Sequence, residues 1–325
     1  MNNISSFLPL MIPSFSSKGN ILIKQNDGIY VSDNYSLLTT LNNTLSKTYL
    51  LSAYDIYYGL MPSDPCEWPK TEYLFIDSGG YETNQSYETT ERNKFNYHVE
   101  DWTPEKMREV YRRIMDSPSL QNSTVIISTF DFEGSFIEQL ERAESLQRTF
   151  PCATVNFLVK IHSSVRHLAS EIKRLSSRIN AFKILGFTEK ELGSTVQERI
   201  QNLILLKRVL LLNGWKGHVH LFGGLNPLLA KIYYFAGADI FDGLSWQRER
   251  YLTHSGLIDQ AFFDISISEQ ENRYEMMLDN LVFMQDMSTN LARYSQIQTE
   301  RMEALEEALS KSKIIAEILE TLEVD

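Results

Sequence analysis

Short apolar runs alternate with longer amphipathic stretches along most of the chain. Runs at Tyr49–Asp55, Tyr73–Ile76, Val125–Ile127, Val155–Ile161, Phe182–Leu185, Gly217–Phe222 and Ala238–Phe241 have the length and β-branched or aromatic content of buried strands. Between them the spacing predicts helices starting at Thr103-Pro104 and at about Asn226, and over Phe136–Phe150, Ser164–Arg178 and Ser194–Leu212. Strands alternating with helices imply parallel pairing with helical crossovers, and eight such units close into a (β/α)8 barrel. A weaker eighth extended piece is expected near 258–266. An open doubly wound sheet is the rival, but no Gly-x-Gly-x-x-Gly turn follows the first run.

The flanks read differently. Residues 1–20 are Ser/Pro-rich without a period and are expected to be irregular. Residues 21–24 and 29–32 flank Asn26-Asp27-Gly28 and predict a β-hairpin, with a small helix near 35–45. From about 268 the pattern is helical, over Tyr274–Met287 and Gln296–Leu322, either packed on the barrel or forming a short arm. The expected partition is an N-terminal segment (1–47), an α/β TIM-like barrel (48–267) and a C-terminal helical segment (268–325).

Composition narrows the class. At 325 residues, 43% hydrophobic and 22% charged, the chain can bury a large core without disulfides. Two distant cysteines, Cys66 and Cys152, exclude a cysteine-rich zinc site and fit a reducing compartment. The first 20 residues lack the basic start and apolar core of a secretory signal, and no apolar run approaches membrane-spanning length. A cytoplasmic protein with no membrane partner is expected. The net charge of −11 means that any surface for a nucleic acid must be a local basic patch.

The candidate chemistry lies at the strand ends. Asp77, Asp131 and Asp242 each closely follow an apolar run, so a barrel would bring them to one mouth, where barrel enzymes do their chemistry. Carboxylates gathered there divide into acid, base and nucleophile roles. Glycine pairs at 79–80 and 223–224 allow the backbone to approach a flat ligand. Arg248 and Arg250, with Lys231, are phosphate-binding candidates. His218, His220 and His162 read as structural, and Trp246 as core rather than a stacking platform.

Three motifs together, Asp77-Ser78-Gly79-Gly80-Tyr81, His220-Leu221-Phe222-Gly223-Gly224 with Pro227 beyond, and Gly237-Ala238-Asp239-Ile240-Phe241-Asp242, resemble the tRNA-guanine transglycosylases over roughly residues 48–290. Those barrel enzymes exchange a guanine in a nucleic acid for a 7-deazaguanine. The resemblance implies Asp242 as the nucleophile on C1′ and Asp77 as the general acid/base. It implies Ser78, Tyr81, Phe222, Gly223 and Gly224 around the base, Asp131 accepting from the guanine-like edge, and Lys160 and Gly186 donating to the base carbonyl. It implies no cofactor. Departures point toward the zinc-less relatives acting on DNA: no cysteine stands where a Cys₃His zinc site would be, Asp279-Asn280-Leu281 replaces His-Asn-Leu, and Ser245-Trp246-Gln247-Arg248 replaces Pro-Thr-Arg. The expected partners are DNA or tRNA and a 7-deazaguanine base, with a homodimer or a complex with other modification proteins left open. Two alternatives stand beside this reading: an N-glycosidic hydrolase of a free or modified nucleoside, and a non-catalytic subunit of a transglycosylase.

Overall fold

The structure is a computed structural model that describes residues 8–16, 22–24, 30–45, 47–80, 100–251, 258–259, 268–297, 300–303 and 305. In chain order the strands are β1 (Leu10–Phe15), β2 (Leu22–Lys24), β3 (Tyr30–Ser32), β4 (Thr48–Ser52), β5 (Tyr73–Asp77), β6 (Thr124–Ser128), β7 (Thr154–Val159), β8 (Ile184–Thr188), β9 (His218–Phe222), β10 (Ile240–Gly243), β11 (Arg250–Tyr251) and β12 (Ile258–Asp259). The helices are α1 (Asp33–Thr40), α2 (Ala53–Tyr57), α3 (Pro104–Met115), α4 (Phe136–Thr149), α5 (Val165–Arg174), α6 (Ser176–Ile179), α7 (Val196–Leu212), α8 (Pro227–Phe235) and α9 (Ser268–Ala292). Strands β1 and β4–β10 are parallel throughout and close into a barrel in the order β1-β10-β9-β8-β7-β6-β5-β4. The alternation of apolar runs and amphipathic stretches is therefore a (β/α)8 barrel with C-terminal helices.

One barrel strand lies where an irregular segment was expected. Leu10–Phe15 is fully buried and closes the ring, pairing with β10 through Leu10–Pro13 and with β4 through Ser14 and Phe15. Proline within an apolar run ordinarily argues against a central strand, because it cannot donate to a ladder. Here Pro13 stands at the handover between the two ladders. The expected eighth strand near 258–266 is not part of the barrel: Ile258–Asp259 pairs antiparallel with Arg250–Tyr251, and 260–267 lie outside the described residues. The barrel thus begins at residue 10, not 48, and the β2–β3 hairpin is an insertion after its first strand. The run at 49–55 is strand only to Ser52, and Tyr54 and Asp55 belong to α2.

Local chemistry starts the helices where the sequence expects. Thr103 caps α3 by accepting from Lys106 N–H, with Pro104 in the first turn. Ser135 with Glu138, and Thr195 with Glu198, form capping boxes on α4 and α7. Asn226 accepts from the N–H groups of Leu228 and Leu229 to start α8. Each such cap contributes about 1 kcal/mol.

The core has two layers. Leu10, Ile12, Leu50, Tyr73, Phe75, Ile126, Ile184 and Ile240 fill the barrel interior, and a larger apolar shell lies between strands and helices. Strands buried on both faces read as continuous apolar runs, which is why they are legible in the sequence. Helix α9 packs against β1 and β11 through buried Met276, Met277, Leu281, Met284 and Met287. Among the described residues no helix is long and apolar enough to cross a membrane.

The N-terminal end of the barrel holds a buried ion pair. Lys207 of α7 donates to Asp239 Oδ2 at 2.8 Å, and the same oxygen accepts from Val219 N–H at 2.9 Å. Both side chains are 8% exposed. Removing one partner of such a pair leaves an uncompensated buried charge. We expect Lys207→Ala to lower unfolding free energy by about 3 kcal/mol in urea titration, with Lys207→Met less damaging because its stem still packs. His218 begins β9 beside this pair. Burial pulls its imidazole below the ordinary value, Asp239 opposes the shift and Lys207 adds to it. The unfolded chain then takes up a proton that the folded chain refuses, so stability falls as pH drops below the ordinary imidazole value of about 6.5. A smaller loss of stability between about pH 7 and pH 5 in His218→Gln than in the parent, measured by urea titration, is the expected signature.

Candidate active site

The barrel's inward positions turn from apolar to polar toward the C-terminal ends of the strands. Asp242 is the third residue of β10, not the residue after it, and it is 7% exposed. Its register partner on β1 is Ile12, and two residues further along that strand Ser14 donates its hydroxyl proton to Asp242 Oδ2 at 2.9 Å. Gly223 N–H donates to Oδ1 at 3.0 Å. Gly223 has φ +72°, a left-handed conformation open to glycine that turns this N–H back toward β10. Both carboxylate oxygens are thus fixed by donors from the strands on either side.

His220 lies directly beside this carboxylate. It is fully buried, and its Nε2 stands 3.3 Å from Asp242 Oδ1, close but short of hydrogen-bond geometry. Nδ1 is 2.7 Å from Asn156 Nδ2. The imidazole stacks on Phe222 with centroids 4.0 Å apart and meets the edge of Phe75 at 5.6 Å. Gly186 makes this possible: a Cβ there would stand 2.4 Å from the Phe222 ring and 3.1 Å from Asn156 Oδ1. Gly186 lies within β8 and is the register partner of His220.

Asp77 ends β5, and its Oδ2 accepts from Gly79 N–H in the following turn at 3.3 Å. Asp77 is one inward position beyond Phe75, the ring that touches His220. Gly79 has φ +75°, and its Cα backs onto Tyr54 so closely that a Cβ would lie 2.5 Å from that of Tyr54. A Cβ on Gly80 would lie 2.3 Å from that of Asp131. These contacts bring the turn against Asp131. Ser78 is buried, its Oγ accepting from Gly80 N–H and its carbonyl from Trp102 Nε1. Burial, and then the negative field of Asp77, push the Tyr111 phenol up. Tyr81 lies outside the described residues.

Asp131 follows β6 and is engaged by Lys160. The ammonium sits 3.1 Å from Oδ1 and donates to Oδ2 at 3.4 Å, and it also contacts Glu191 Oε1. Burial alone would lower the Lys160 ammonium, but Glu191 and Asp131 outweigh it and hold it above its ordinary value. Glu191 is fixed in turn by Ile161 N–H at 3.1 Å. Its loop is anchored by Glu189, which accepts from Arg199 and Tyr233, both at 2.7 Å.

The structure therefore unites Asp242, Gly223, Phe222 and Gly186 in one cluster, and Asp131, Lys160 and the Asp77–Gly80 turn in an adjoining one. Gly224 packs against Leu221. Arg248 is exposed and Arg250 half-buried in the segment after β10, which Asn280 clamps by donating to the carbonyls of Trp246 and Glu249 and accepting from Tyr251 N–H. Trp246 is core, as expected, with its Nε1 on Ser14 O at 3.1 Å. Among the described residues no three His, Cys, Asp or Glu side chains form a metal-holding group.

Ser14, Asn156, His220 and Glu191 are the contributors that sequence reasoning missed. Asn156 carried a usable signal, a polar residue inside the apolar run Val155–Ile161. No family model matches the chain, and no curated protein matches it. Gly186→Ala tests the packing directly. The added methyl must displace Phe222 from His220, and we expect a stability loss of about 1–3 kcal/mol by urea titration, with altered near-ultraviolet dichroism from the displaced aromatic ring.

Proposed function

We propose that the protein is a pentosyltransferase that exchanges guanine in a nucleic acid for a 7-deazaguanine through a covalent Asp242–pentosyl intermediate, with DNA favoured over tRNA. The observation that carries this reading is the Asp242 carboxylate, held on the inner wall of the barrel by Ser14 and Gly223 N–H, with Asp77 on the facing side of the Phe75–His220 contact. An oxygen of Asp242 attacks C1′ of the target nucleotide as the C1′–N bond breaks, and its electron pair leaves with the base. Asp77 supplies a proton to the departing base and takes one from the incoming base, whose nitrogen then displaces the Asp242 oxygen from C1′. Two carboxylates dividing these roles is the arrangement used for other glycosidic bonds. Asp131 and Lys160 stand side by side, an acceptor beside a donor, which suits the amide-like edge of a guanine ring. A base within a duplex has to be turned out of its stack to reach this depth.

The preference for DNA rests on the departures at Asp279 and at Ser245–Arg248. A cytoplasmic location is supported by Cys66 and Cys152, both exposed free thiols. Incubation of the protein with labelled guanine and either DNA or tRNA tests the activity. Incorporation into one polymer is expected. Absence of incorporation into both, with release of base from free nucleosides, would move the assignment to an N-glycosidic hydrolase.

Asp242→Asn and Asp77→Asn should each reduce exchange by about 10³-fold or more. Asp242→Asn is expected to fold, because its carbonyl can still accept from Gly223 N–H and its amide can donate to Ser14 Oγ. Circular dichroism alongside the exchange assay checks both halves, and parental exchange rates in both variants would retire the mechanism.

A further inference from the structure

We propose that His220 is a positioning residue for Asp242, oriented by Asn156 at Nδ1 so that Nε2 presents its N–H to the carboxylate. The inference rests on the base-exchange reading for its kinetic arm and on geometry alone for its tautomer. The imidazole is fully buried and has two polar neighbours, Asn156 at Nδ1 (2.7 Å) and Asp242 at Nε2 (3.3 Å). Phe222 and Phe75 fix the ring plane, and glycine at 186 admits the Phe222 ring.

Two tautomers fit the outline of this cage, and electrostatics chooses between them. With the proton on Nδ1, Asn156 would accept through its carbonyl and the bare Nε2 lone pair would face a carboxylate oxygen at 3.3 Å, a repulsive contact in a site without water-like screening. With the proton on Nε2, Asn156 Nδ2 donates to the bare Nδ1 and the N–H faces Asp242. The second arrangement is attractive at both nitrogens. It also explains a polar side chain in the middle of β7, where both register neighbours, Ile184 and Ser128, belong to flanking strands and neither serves the amide.

The consequence concerns Oδ1. That oxygen meets the Gly223 N–H and the His220 N–H, whereas Oδ2 meets one rotatable hydroxyl, that of Ser14. Gly223 therefore holds one oxygen with the His220 N–H facing it at 3.3 Å, and Ser14 can turn aside to leave the other free to attack. When the incoming base displaces Asp242 from C1′, the charge that returns to the carboxylate is shared with the oxygen facing the two N–H groups.

Selective ¹⁵N-histidine labelling of the full chain, with long-range proton–nitrogen correlation, reads the tautomer, and the His220 signals are those lost in His220→Gln. The expected pattern is a protonated Nε2 and a bare Nδ1. A protonated Nδ1, in either a neutral or a doubly protonated ring, would overturn the proposal. Exchange kinetics supply the second arm. His220→Gln can return an N–H to the same place and should stay within about tenfold of the parent. His220→Phe keeps the stack between Phe75 and Phe222 but offers no donor, and should lose about 10²-fold in kcat with KM for the free base unchanged. Equal kcat in the two variants would also overturn it. A parent protein without exchange activity would sink the base-exchange reading, and the tautomer pattern would still decide the arrangement of Asn156, His220 and Asp242.

Discussion

The contact between Ser14 and Asp242 joins residues 228 positions apart and sits on the seam where the first and last barrel strands meet. Ser14 uses both its hydroxyl and its carbonyl there. Its hydroxyl donates to Asp242 and accepts from Gly243 N–H, and its carbonyl accepts from Trp246 Nε1 and Gln247 Nε2. A buried polar group left unmatched costs roughly 1–3 kcal/mol, so seam, nucleophile candidate and following loop hold one another in place. Asn280 extends the chain of dependence, tying that loop to α9. Helix α9 is therefore a structural part of the site.

The interior divides by height. Its lower layers are aliphatic and aromatic, and a buried ion pair at the N-terminal end, Lys207 with Asp239, is closed by a backbone N–H. The upper layer holds Asp242, His220, Asn156 and Asp77 on the same inward faces. This is the division expected of a barrel, in which the N-terminal end secures stability and the C-terminal end is free to carry chemistry. Phe75 marks the boundary, with its neighbours in the apolar layer and its edge against His220.

The barrel was legible because parallel strands buried on both faces write themselves as apolar runs, and the helix starts because Thr103, Ser135, Thr195 and Asn226 are local caps. The first strand was not legible: Pro13 and the surrounding serines disguise it, and only the switch from one ladder to the next makes the proline tolerable. The site was half legible. Aspartates and glycines at strand ends announce themselves by position, whereas the roles of Ser14 and Asn156 arise from register between strands and that of Glu191 from the turn after β8. His220 reads as structural in the sequence, and it is buried, but burial beside a carboxylate and an amide is not the same as burial among apolar groups.

The charge balance of the mouth bears on how a polyanion would be handled. Asp77, Asp131, Asp242 and Glu191 face inward or across the rim, and Lys160 is spent between two of them. The chain as a whole carries a net −11. Phosphates would be repelled by this interior and favoured only at the rim, where Arg248 is exposed and Arg250 half-buried on the segment fixed by Asn280. Such a distribution separates two tasks. On the proposed reading, rim cations would give a weak, salt-sensitive grip on a polymer, and the acidic interior would suit a neutral ring with N–H groups to donate. A carboxylate-lined pocket repels phosphate, so under the proposed function a base would have to be turned away from its backbone to enter, with its sugar carbon toward Asp242.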